Sequence, residues 1–192
     1  PSAIGDGDSW YWQWAIGVRV SQDAKPGDYS IGRGQTVTVV PKPRRSVVTV
    51  SSLTTLKTRF SEGCDVNVTP GVYVIDTPLI IPDGATIRSA GARFIRKCQM
   101  GANAIQNRMF QPLGSFTLDG INCETEGQNF YMHSDPFVTG NITIKNCTFK
   151  YGNLWHASFS NMLVEDCQFF RSGTGWCPPN SVYRNNEFYG PT

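Results

Sequence analysis

Four short segments toward the C-terminal side read as copies of one another: Phe116–Cys123 (FTLDGINC), Ile142–Phe149 (ITIKNCTF), Met162–Phe169 (MLVEDCQF) and Ser181–Phe188 (SVYRNNEF). Their centres, Leu118, Ile144, Val164 and Tyr183, lie 26, 20 and 19 residues apart. A strand that recurs at such a spacing without intervening helices is the signature of a solenoid winding one coil per repeat. Each copy has a residue suited to a tight left-handed bend at the same place: Gly120, Asn146, Asp166 or Asn185. Stacking the copies puts Ile121, Cys147, Cys167 and Asn186 in one column and Cys123, Phe149, Phe169 and Phe188 in another. Such columns would build the core of a parallel β-helix. The alternative is a meander of antiparallel strands, which shares the alternation but has no reason to keep the spacing.

The size, 192 residues, corresponds to one domain or one domain plus an arm. With 40% hydrophobic and 12% aromatic residues the chain can bury a sizeable core. Gly, Thr, Val and Asn dominate over helix-forming patterns, so the expected class is all-β. A net charge of +2 does not point to nucleic acid. Arg88, Arg93, Arg96, Lys97 and Arg108 form a local basic cluster, read here as a solvated outer face. No run of about 20 apolar residues is present, so no membrane insertion is expected. The first residues carry no charged-then-apolar signal pattern, and Pro1 is what removal of an initiator Met leaves. The expectation is therefore a whole mature protein made in a cytoplasm.

Six cysteines (Cys64, Cys98, Cys123, Cys147, Cys167, Cys177) lack the paired spacing of a zinc site, so neither metal nor cofactor is expected. Cys147 and Cys167 fall in one column, at a separation a disulfide could span. Buried thiols acting as small hydrophobes are the expected state in a reducing compartment. Three Asn-x-Thr sequons, at Asn67, Asn141 and Asn146, follow from an Asn- and Thr-rich composition.

Residues 1–50 do not follow the repeat and are assigned to an N-terminal β arm or small attachment module. Trp10–Val20 reads as a strand with its three tryptophans on one face, and Asp23–Asp28 as a turn. Gln35–Val40 and Ser46–Val50 read as strands joined by Pro41–Arg45. The repeat-bearing domain spans residues 51–192 and opens with a helix at 52–61. Ser51 or Ser52 can cap it, Leu53, Leu56 and Phe60 make its apolar stripe, and Gly63 ends it. A short amphipathic helix there is placed to cover the open end of a solenoid.

Gly71-Val-Tyr-Val-Ile75 follows, then Pro78-Leu-Ile-Ile-Pro-Asp-Gly84 and Thr86-Ile-Arg88. This helix, Gly-x-Tyr strand and Ile-Pro-x-Gly-x-x-Ile order resembles the pectate-lyase-like, right-handed β-helix of bacteriophage tailspikes. The likeness covers about residues 51–96, and the repeats carry it to residue 188. Two departures stand out. The Asp-Gly-x-x-Asp-x-Thr segment that often precedes the helix in tailspikes is missing, and the solenoid is shorter than in glycan-cleaving members. The resemblance implies a single-stranded right-handed parallel β-helix, a homotrimer and a place in a virion.

Enzymes of this fold would need paired carboxylates, or an acidic Ca²⁺ cluster with a basic residue. The repeat gives several acids another role. Asp119, Lys145, Glu165 and Arg184 share one outward column with alternating signs, which is a surface ion-pair ladder. Asp166 is the bend residue. Glu124, Glu126 and Asp135, in the longest inter-repeat loop, remain as catalytic candidates, and that loop can equally use them to stay in water. No catalytic residue is assigned. The segments Asn129–His133 and Asn153–His156 fall in consecutive inter-repeat loops and should lie side by side. Tyr131, His133, Trp155 and His156 are therefore candidates for glycan binding, with wall packing as the alternative role. Leu163 and Val182 take outward slots held by Thr117 and Thr143 in earlier repeats, and Phe170 and Tyr189 face outward on the next strand. These four are the candidate oligomer interface.

The expected function is a non-enzymatic, homotrimeric virion protein of a phage, tail or tailspike-like. Residues 1–50 would attach it to other virion proteins, and the β-helix would face a host cell-surface glycan. A capsid decoration protein, a glycan-cleaving lyase or hydrolase, and a secreted β-helix carbohydrate binder are the alternatives.

Overall fold

A computed structural model describes residues 27–30, 36–39, 45–97, 107–133, 139–155, 160–174, 178 and 180–190. It divides into two compact units, residues 1–44 and 45–192. In the first, β1 (Gly27–Ser30) pairs antiparallel with β2 (Thr36–Val39). The expected Trp10–Val20 strand lies outside the described residues.

The second unit is built from parallel strands, with one helix among the described residues. It opens with β3 (Val47–Val50), α1 (Leu53–Ser61), β4 (Asp65–Val68), β5 (Gly71–Ile75), β6 (Leu79–Ile81), β7 (Ala85–Ser89) and β8 (Ala92–Arg96). Next come β9 (Phe110–Pro112), β10 (Phe116–Asp119), β11 (Asn122–His133), β12 (Asn141–Lys145) and β13 (Thr148–Trp155). The last five are β14 (Asn161–Glu165), β15 (Gln168–Phe170), β16 (Gly173–Thr174), β17 (Asn180–Arg184) and β18 (Glu187–Tyr189). A seven-stranded sheet has the order β17-β14-β12-β10-β7-β4-β3. Its first strand, β3, falls within residues 1–50 but pairs in parallel with β4, so it belongs to the second unit. A nine-stranded sheet has the path β18-β15-β13-β11-β8-β5. The far ends of β11 and β13 also pair with β9 and β16, and β9 pairs with β6.

The repeat is the register. Leu118, Ile144, Val164 and Tyr183 are successive Cα partners across β10, β12, β14 and β17. The first three are fully buried, because alternation turns every second side chain of each strand inward. In the second sheet Tyr73, Phe94, Cys123, Phe149, Phe169 and Phe188 form the corresponding column. Phe149 stacks on Phe169 at 5.2 Å, and Phe169 on Phe188 at 4.7 Å. The chain passes from one sheet to the other at a corner, where Gly120, Asn146, Asp166 and Asn185 have φ of 72°, 55°, 54° and 55°. These are the bend residues read from the repeat.

Helix α1 forms where its stripe predicts. Ser52 Oγ accepts from the Thr55 amide at 3.1 Å, Leu56 and Phe60 are buried, and Gly63 follows at φ 79°. The helix packs against β3, β4 and β6. Cys64, Cys123, Cys147 and Cys167 are buried thiols, whereas Cys98 and Cys177 lie outside the described residues. Burial pushes the Cys147 thiol well above the ordinary range.

The basic cluster, expected as a solvated face, is not solvated throughout, since Arg96 is 1% exposed and Arg108 is 8% exposed. Arg96 shares an inward parity with Phe94. Its guanidinium donates to the carbonyls of Ile75 at 2.9 Å and Arg108 at 3.1 Å, and to that of Asp76. Backbone carbonyls replace the water that the charge gives up.

Candidate functional site

The candidate site lies on the outward face of the second sheet. Two columns cross it. One runs Arg93, Asn122, Thr148, Gln168, Glu187, and the other runs Ile95, Glu124, Lys150, Phe170, Tyr189. They line an open groove of about 290 Å³ between Arg93, Asn122, Glu124, Thr148, Lys150, Gln168 and Phe170. Among the described residues its one lining carboxylate, Glu124, accepts from Arg93 Nη2 at 2.6 Å and Nε at 3.1 Å. The ammonium of Lys150 sits 5.6 Å from the Phe170 ring centre, a cation–π distance. On its other side Phe170 stacks on Tyr189 at 4.5 Å and an interplanar angle of 4°. Both faces of Phe170 are thus covered, and the groove presents amide, hydroxyl and charged groups.

Glu187 accepts from Gln168 Nε2 at 2.9 Å and from the Tyr189 hydroxyl at 2.6 Å. The Tyr189 contact first, then the Gln168 amide, holds its carboxyl below the usual range. On the first sheet the alternating charge column is one member longer than the repeat showed, Arg88, Asp119, Lys145, Glu165, Arg184, and its ion pairs fall into two groups, Arg88–Asp119–Lys145 and Glu165–Arg184. Asp119 lies 3.8 Å from Arg88 and 3.5 Å from Lys145, and Arg184 Nε donates to Glu165 at 2.6 Å.

Among the catalytic candidates, Glu124 is the groove carboxylate held by Arg93, and Glu126 is on β11 with its side chain outside the described residues. Asp135 lies outside the described residues, as does His156. The segments read as adjacent loops are adjacent strands: Phe130 pairs with Asn153, Met132 with Leu154 and His133 with Trp155. Tyr131, His133 and Trp155 are therefore on paired strands, and their side chains lie outside the described residues. Leu163 and Val182 are neighbours on the first sheet, and Phe170 and Tyr189 are neighbours on the second. Val182 is 51% exposed and Tyr189 45% exposed, with Leu163 and Phe170 half-buried.

Sequence reasoning missed Arg93, Lys150 and Gln168 as groove residues. For Gln168 and Lys150 the signal was present, because carrying the repeat columns past the bend places both on one face, whereas Arg93 precedes the four copies and joins them only through the β8–β11 register. In comparisons with known proteins, no family model, no curated protein and no solved structure matches this chain.

Proposed function

We propose that this chain is a non-enzymatic structural protein of a bacteriophage virion, tail or tailspike-like, whose second unit is a right-handed, single-stranded parallel β-helix assembled as a homotrimer. The observation that carries the reading is the parallel register, in which each repeat adds one strand to each sheet. Helix α1 serves as the cap of the first coil, and residues 1–44 provide attachment to other virion proteins. Leu163 and Val182 flank one side of the corner, and Phe170 and Tyr189 the other. A three-fold axis running along that corner sets the first pair of one copy against the second pair of the next, a contact that closes on itself. The groove of Arg93, Asn122, Lys150 and Gln168 meets the hydroxyls of a host-surface glycan. Chemistry is disfavoured by the use already made of the acids. Asp119 and Glu165 belong to the ladder, Asp166 turns a corner, and Glu124 is held by Arg93.

The test is incubation with host surface polysaccharide, followed by sizing of the products and sedimentation of the protein. The expected result is a trimer that retains polysaccharide without shortening it, with retention reduced in Lys150→Ala and the trimer lost in Leu163→Asp. Shortening that disappears in Glu124→Gln would replace this reading with that of a glycan-cleaving enzyme.

A further inference from the structure

The tier made by β17 and β18 is the last described, and each of its strands ends the order of its sheet. Three of its apolar side chains are exposed. Phe188 continues the buried Phe149–Phe169 stack but is 55% exposed, Val182 is 51% exposed, and Tyr189 presents the ring face not stacked on Phe170. Tyr183 packs against the core and is half-buried.

The sequence of this tier is close to a palindrome in chemistry about its corner. Counting outward from Asn185–Asn186, Arg184 mirrors Glu187, Tyr183 mirrors Phe188, and Val182 mirrors Tyr189. The mirror also preserves side-chain parity. Tyr183 and Phe188 face the core, whereas Val182, Arg184, Glu187 and Tyr189 face outward. A two-fold axis through the corner, perpendicular to the stack, lays β17 of one copy along β18 of another. The two strands then run antiparallel, because one approaches the corner and the other leaves it. Arg184 of each copy faces Glu187 of the other, Tyr183 faces Phe188, and Val182 faces Tyr189. All four apolar side chains are covered at once, and the open strand edges gain partners.

We infer that a second copy of this chain docks on the β17–β18 tier in this two-fold, tail-to-tail register. The contact goes beyond the lateral trimer proposed above and does not depend on it. A head-to-tail stack is the competing arrangement. Continuing the columns in parallel would set Arg184 against Thr49 and Glu187 against Val72 of the next copy, which adds no opposite charge to either. The two-fold register gives each charge a further partner of opposite sign twice per dimer, Arg184 beyond its ion pair with Glu165 and Glu187 beyond the bonds it accepts from Gln168 and Tyr189.

The experiment is sedimentation of the whole chain and of two charge variants, alone and mixed. Arg184→Glu alone sets acid against acid at both contacts, and Glu187→Lys alone sets base against base. Each should weaken the end-on association by at least about tenfold, leaving particles of half the wild-type mass. An equimolar mixture should recover the wild-type mass. The acid introduced at position 184 of one variant then meets the base introduced at position 187 of the other, and the second contact keeps its original Arg184 and Glu187. The mixture keeps the result informative even if one variant is less stable, since only this register makes the two complementary. Wild-type mass unchanged in both single variants, or no recovery on mixing, would overturn the inference. Loss of the trimer in Leu163→Asp with end-on association intact would separate this contact from the lateral one.

Discussion

At each of the four repeat corners one residue sits at positive φ, and these four are not equally replaceable. A Cβ on Gly120 would lie 2.0 Å from the Ser89 carbonyl oxygen, a backbone atom fixed in its own tier. Gly120→Ala should therefore cost more than about 2 kcal/mol by urea unfolding, since clash and left-handed strain act together. Asp166→Gly relieves a left-handed L-residue, and its midpoint should stay within about 1 kcal/mol of wild type. Equal effects from the two would mean that the corner column is not shared. Glu187 gives a pH-dependent counterpart. Its folded pKa is depressed by Tyr189 and Gln168, so its contribution is present above the ordinary carboxylate range and lost as pH falls through the lowered value. Glu187→Gln should flatten the stability profile roughly below pH 5, read from urea midpoints across the acid range. These corners were legible in the sequence because few residue types tolerate left-handed dihedrals. The burial of Arg96 was not, since its acceptors are backbone carbonyls that no residue type announces.

Between elements, the columns carry the energetics. Lys145 is in register between Asp119 and Glu165, so Lys145→Glu puts three acids in a row. That should destabilise the unit by about 0.2–1 kcal/mol per contact, because the ladder is exposed. Adding Asp119→Lys should recover part of the loss. Recovery stays incomplete because the new lysine also faces Arg88. A double-mutant cycle checks this, and zero coupling would contradict the register. The ladder was readable from the repeat, yet its fifth member, Arg88, was not, because β7 departs from the repeat pattern. The second sheet shows the same limit. The segments around Tyr131 and Trp155 read as loops because they fall between the repeat copies. Pairing made them strands: β11 and β13 run in parallel past register shifts, and Tyr151 turns at φ 66°. The contact of Arg93 with Glu124 spans 31 residues and became visible only once two tiers were aligned.

Across the whole second unit, stability should be graded along the stack rather than uniform. Each tier pairs only with the tiers next to it, so opening can begin wherever the interfaces are weakest. One end is secured by α1, with Leu56 fully buried and Phe60 4% exposed. At the other, Phe188 and Val182 are more than half exposed although one continues the core column. Phe60→Ala should therefore cost about 3–5 kcal/mol, the usual loss for a buried phenylalanine, and Phe188→Ala distinctly less. Native-state hydrogen exchange offers the sharper reading. Amides of β17 and β18 should exchange first, those of β14 and β15 next, and those of β10 and β12 with the slowest core. Raising the protein concentration should protect β17 and β18 selectively, because a second copy would cover their edges, while β14 and β15 gain less. Equal protection from β4 to β18 at every concentration would mean that the unit opens all at once and that its last tier neither frays nor docks.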